Sequence, residues 1–105
     1  MEFIETPVFT KAIEKHLEHE EYRALQLSLI LRPRQGALLQ GGAGLRKLRW
    51  RHGARGKRGG LRIIYYWIGA EDVIYLLLAY SKVSQADLTP KQLETLKHLV
   101  KEELK

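Results

Sequence analysis

Lys47, Arg49, Arg62, Tyr80 and Lys82 are the side chains whose types and spacing suit work on a phosphodiester. Internal cleavage of RNA by its own 2′-hydroxyl asks for a base to take the 2′-OH proton, cations to stabilise the phosphorane, and an acid for the leaving 5′-oxygen. A guanidinium keeps its charge at any working pH, so Arg49 and Arg62 suit the clamp. Histidine is the usual base, and His52 is the one histidine in the basic region. A lysine ringed by cations gives up its proton more readily, and Lys47 and Lys82 are the candidates for that alternative. Tyr80 has a proton to donate. The same residues would serve a protein that only binds RNA, because arginine forks grip phosphates and tyrosine rings stack on unpaired bases. Residue types alone leave enzyme and pure binder both open.

These side chains belong to, or border, one basic stretch. Residues 44–66 carry Arg46, Lys47, Arg49, Arg51, Arg55, Lys57, Arg58 and Arg62. From Tyr22 to Ala70 there are eleven Lys/Arg and no Asp or Glu; residues 1–21 hold six acids against two bases, and 71–105 six against five. The net charge of +6 is therefore almost wholly central. A self-repelling block of this kind points to a polyanion partner, since a surface meeting only water normally mixes both signs. With 105 residues the chain makes one domain, and 45% hydrophobic with 29% charged content excludes wholesale disorder. The absence of cysteine excludes disulfides, thiolate metal sites and cysteine nucleophiles. His16, His19 and Glu20 have a spacing that could hold a metal, but no third strong ligand joins them and they read as helix-surface residues, so neither metal nor cofactor is expected. The longest apolar runs are eight residues, far short of the about 20 that a membrane helix needs, and the N-terminus lacks a signal layout. A cytoplasmic protein that does not engage a membrane is expected.

The elements that must position these residues follow from periodicity and punctuation. Residues 2–8 form a short strand ending near Pro7, with Thr10 as the cap of a helix over 11–19. The acidic patch at 19–21 opens a second helix over 22–31, which Pro33 stops. The glycine-rich residues 35–44 complete no phosphate-loop pattern and read as a flexible joint. Residues 45–51 alternate: Leu48 and Trp50 point one way with Arg46, while Lys47, Arg49 and Arg51 point the other. A basic turn over 53–60 leads to a strand over 61–68, with Arg62, Ile64, Tyr66 and Ile68 on one face. After a turn at 69–72, residues 73–82 form a central strand buried on both sides, with Tyr80 and Lys82 sharing a face. The last element is a helix over 87–105, with Thr89, Pro90 and Gln92 making a capping box. The order is β-α-α-β-β-β-α, an α+β fold with a curved, mainly antiparallel sheet packed against helices.

That order, with PRQG at 33–36, GLRKLRW at 44–50, GKRGGLRIIYY at 56–66, YSK at 80–82 and DLTPKQ at 87–92, resembles the RelE/HigB toxin superfamily, and most closely its HigB-like branch. The resemblance covers nearly the whole chain. It implies the toxin of a type II toxin–antitoxin system: a metal-independent endoribonuclease that cleaves mRNA in the ribosomal A site and inhibits translation. It also implies neutralisation by a cognate antitoxin from the adjacent gene, of helix-turn-helix type. By position, the family's cationic residues fall on Lys47 and Arg49 of the second strand, Arg62 opening the third and Lys82 after the last, lining a concave face for the mRNA. The C-terminal Tyr or His that some members use is unmatched, since beyond Lys82 there is no Tyr and the one His is His98. That departure leaves Lys82, Tyr80 or Lys47 to move the proton. Arg55, Lys57 and Arg58 are assigned to ribosomal RNA, with Arg46 and Arg51 beside them. An acidic antitoxin segment lying over the basic face would block RNA by direct competition.

Overall fold

A computed structural model describes residues 1–51 and 60–104. The chain starts with a short strand, β1 (Glu2–Glu5), and turns at once into a helix, α1 (Pro7–His16). Pro7 occupies the first turn, where its missing N–H costs nothing, and the Thr6 hydroxyl accepts from Phe9 N at 3.0 Å. The expected strand through residue 8 therefore ends earlier, and the cap is Thr6 rather than Thr10. Thr10 instead donates its hydroxyl to Glu5 and to the Thr6 carbonyl. A second helix, α2 (His19–Leu31), begins where Glu18 N donates to Glu21 Oε1. His16 and His19 thus close one helix and open the next, and among the described residues no cluster of three metal-ligating side chains forms.

The sheet is built from β1, β2 (Ala37–Leu38), β3 (Arg46–Trp50), β4 (Leu61–Ile68) and β5 (Val73–Ser81), in the order β1-β5-β4-β3-β2. β1 runs parallel to β5, and the other pairings are antiparallel. β3, β4 and β5 make the expected meander, and β5 is interior, as its unbroken apolar run requires. The strand β2 is an addition: the glycine-rich connection is no loose joint but pairs Ala37 with Lys47 and Leu38 with Arg46. A last helix, α3 (Pro90–Leu99), starts from the Thr89–Gln92 capping box and continues as a π-helical turn over Val100–Leu104.

Helices cover both sides. On one face Leu48, Leu61, Ile63, Tyr65, Ile74, Leu76 and Ala79 pack with Phe9, Ile13 and Leu17 of the α1 segment and Leu25 and Leu29 of α2. On the other, Leu45, Ile64, Leu77 and Tyr80 pack with Leu96 and Val100. A β-bulge separates the two patterns in β5. Tyr65 pairs with Leu76 and Ile64 with Leu78, so Leu77 is the extra residue. One extra residue reverses the alternation beyond it. Ile74, Leu76 and then Ala79 face α1 and α2, whereas Tyr80 turns to the α3 side. Without the bulge, Tyr80 would have pointed into the α1/α2 core.

Candidate functional site

The pleat of β3 and β4 sends Lys47, Arg49 and Arg62 to the α3 side. Arg49 pairs with Arg62, Arg62 with Tyr80, and Lys47 with Ile64. One row across three strands therefore reads Arg49–Arg62–Tyr80, and Lys47 lies on the same face one pleat repeat along β3. Two arginines directly opposite each other repel, a placement that costs stability unless an anion bridges them. Arg62 is the one buried charged side chain among the described residues, 7% exposed. Gly60, next to it, has φ +48°, and a Cβ there would stand 3.2 Å from the Trp50 carbonyl oxygen, so the backbone that leads into β4 calls for glycine. Arg49 is exposed at the mouth of this pair.

An acid completes the group. Asp87, in the connection from β5 to α3, accepts through Oδ1 from Lys47 Nζ at 3.3 Å, from the Tyr80 hydroxyl at 3.5 Å and from Leu88 N at 2.8 Å. The Leu88 N–H holds its carboxyl below the usual carboxylate range; burial opposes this, and the Lys47 ammonium and the Tyr80 hydroxyl add to it. Tyr80 moves the other way: burial, then the Asp87 charge, raises its hydroxyl above 10, while Arg62 partly offsets the rise. Tyr80 is protonated at neutral pH, as an ordinary tyrosine is, and its direct neighbour in the row is Arg62.

No family model matches the chain. Among solved structures, the intact E. coli RelBE toxin–antitoxin complex contains a chain that aligns with a TM-score of 0.56 and 18% identity, over 74% of this chain and 92% of that one. A double arginine-to-alanine mutant of E. coli RelE in the free state aligns with a TM-score of 0.57 and 18% identity, over 81% and 86%. This chain has the RelE fold. The α+β class, the three helices and the mainly antiparallel sheet expected from the sequence are met, with β2 added as a fifth strand to the four expected.

Within that RelE fold the sequence-designated residues divide. Lys47, Arg49, Arg62 and Tyr80 come together on one face. Lys82 lies one residue past β5, exposed, its N–H reaching the Gly60 carbonyl at 3.3 Å. Arg51 is exposed just after β3. Arg46 does not join them: it belongs to the opposite face, and its Nη1 donates to the carbonyls of Arg34 at 3.0 Å and Gly36 at 2.8 Å. There it ties down the loop before β2. His52, Arg55, Lys57 and Arg58 lie outside the described residues. Sequence reasoning missed Asp87 as a site residue. The available signal was that Asp87 is the sole acid between residues 73 and 93, placed in the segment that returns from the end of β5.

Proposed function

We propose that this protein is the toxin of a type II toxin–antitoxin module, a ribosome-dependent endoribonuclease that cleaves mRNA in the A site without a metal. The observation that carries the reading is the row Arg49–Arg62–Tyr80, two opposed guanidiniums beside a protonated phenol. Arg62, held by its burial, and Arg49, free to approach from solvent, would clamp the non-bridging oxygens and stabilise charge on the phosphorane. Lys82, exposed at the end of β5, would take the 2′-OH proton as that oxygen attacks phosphorus, and Tyr80 would protonate the 5′-oxygen as its bond to phosphorus breaks. Lys47, released from Asp87 as phosphate arrives, would add a third cation. The bound mRNA would lie along this face, with Arg51, Arg55, Lys57 and Arg58 on ribosomal RNA.

The RelE fold supports the toxin assignment, and the toxin–antitoxin complex among the similar structures supports a cognate antitoxin as partner. A helix-turn-helix protein from the adjacent gene, and cytoplasmic action, complete the proposal; among the described residues no helix is long and apolar enough to cross a membrane. Induced expression is expected to arrest growth and cut mRNA within translated frames. Co-expression of the adjacent gene, or Arg62→Ala or Lys82→Ala, is expected to relieve the arrest. Normal growth of cells making folded protein contradicts the proposal.

One observation favours a second reading, a non-catalytic RNA- or ribosome-binding protein. Asp87 engages both Lys47 and Tyr80, so two of the three side chains that could move a proton are already tied to one carboxylate. That reading expects salt-sensitive RNA affinity with intact mRNA on programmed ribosomes.

A further inference from the structure

The loop between α2 and β2 is exposed yet pinned from several sides. The Tyr65 hydroxyl donates to the Pro33 carbonyl at 2.7 Å and accepts from Gly36 N at 2.9 Å. Arg46 holds the carbonyls of Arg34 and Gly36, and Gln35 Nε2 reaches back to the carbonyls of Ser28 at 2.9 Å and Arg32 at 3.2 Å. Gly36 allows the close approach, since a Cβ there would meet Tyr65 Cε1 at 2.8 Å. So many bonds on five residues fix a backbone that a mere connection has no need to fix. What it carries outward is Arg32 and Arg34. Arg34 Cζ stacks 5.4 Å from the Trp67 ring centroid, so its fork is oriented before any ligand arrives. Trp67 Nε1 is buried with no hydrogen-bond partner among the described residues, and an unmade bond of this kind is costly. Arg32, Pro33, Arg34, Gln35 and Trp67 together line an open cleft of about 410 Å³.

We propose that this cleft is a second anion site, which takes a backbone phosphate of folded RNA. It goes beyond the proposed function: Trp67 sits five residues from Arg62 along β4, about 17 Å at a strand's rise, and on the opposite face of the sheet. A strand lying across Arg49 and Arg62 cannot also enter it, whereas a folded RNA that embraces the edge of the domain can. RNA phosphate is chosen as the occupant because the segment from Tyr22 to Ala70 lacks acids, so the cleft shares one positive field with the basic face, which the proposed function gives to RNA.

The test compares the full chain with Arg32→Ala/Arg34→Ala and with Trp67→Phe, which keeps the ring and removes the N–H. Each is titrated with a short RNA hairpin, with oligo-uridine and with a poly-glutamate peptide, and melting temperatures check the fold. The double variant is expected to bind the hairpin about tenfold more weakly, with a log–log salt slope shallower by about two. Trp67→Phe should weaken the hairpin about threefold, and oligo-uridine affinity should stay within about twofold throughout. Unchanged hairpin binding overturns the site. So does an equal loss on hairpin and oligo-uridine, which would make the two arginines mere general charge. A loss confined to poly-glutamate assigns the cleft to an acidic protein instead. None of these readouts involves cleavage, so failure of the nuclease proposal would not imitate failure here.

Discussion

The two faces of the sheet are made from the same strands yet have opposite characters. Toward α1 and α2, Leu48, Ile63, Tyr65 and Leu76 are apolar and buried, with half-buried Arg46, Trp50 and Trp67 at the margins of that face. Toward α3, the cover extends over Leu45, Ile64 and Leu77, and the row beside it holds Arg49, Arg62 and Tyr80. The first face is where burial of apolar area stabilises the fold. The second gives up part of that gain to set like charges opposite one another. Burial of apolar area gives no reason to set Arg49 opposite Arg62; under the proposed function, a phosphate between them would.

That contrast can be broken from either side. Leu29 is fully buried among α2 neighbours, and Leu29→Ala should cost about 2–5 kcal/mol of stability, read by chemical denaturation, with RNA affinity of the remaining folded protein unchanged. On the other face Arg49 is exposed, so Arg49→Ala should leave stability within about 0.5 kcal/mol while cleavage on programmed ribosomes falls about 100-fold. Stability and activity falling together in both variants would erase the division between the faces.

Asp87 sharpens the comparison, because it belongs to the site yet opposes its charge. Asp87→Asn frees Lys47 and adds one positive charge. RNA affinity should rise about threefold, with a salt slope steeper by about one half to one, if the ion pair only competes with phosphate. Cleavage should nevertheless fall, because the neutral amide oxygen holds Lys47 and Tyr80 less firmly than the carboxylate does.

The smallest effect is on pH dependence. Tyr80 and Tyr65 are both raised, chiefly by burial, and Tyr22 is raised by burial and then by Glu5. An unfolded tyrosine ionises near 10. Above that pH the unfolded chain releases protons that the folded one retains, so stability is insensitive to these groups at neutral pH and falls as pH rises through about 10 and beyond. Tyr80→Phe should flatten that alkaline loss by a part, and thermal melts between neutral pH and about pH 11 check it.

How much of this was legible in the sequence depends on which physical rule was at work. Strict alternation in β3 put Lys47 and Arg49 on one face, and alternation in β4 put Arg62 with Ile64. The family resemblance joined the two faces, and the register Arg49 opposite Arg62 does so in the structure. The Thr89–Pro90–Gln92 cap was equally plain. Tyr80 was grouped with the cations by type, but its direction depends on the bulge at Leu77, an irregularity of strand pairing that no single strand's pattern reveals. Arg46 looks like its neighbours in composition and differs only in having two carbonyls within reach. Asp87 is local in sequence to α3 and meets Lys47 only because the chain doubles back. Local periodicity was readable; contacts that need long-range register were not.

The most direct measurement is primer extension on mRNA bound to programmed ribosomes, with purified wild-type protein beside Arg62→Ala and Arg62→Gln at matched melting temperature. Cuts within the A-site codon for the wild type, reduced at least about 100-fold in both variants, are expected if opposed guanidiniums act on one phosphodiester. Intact mRNA with the wild type, or equal cutting by all three, contradicts it.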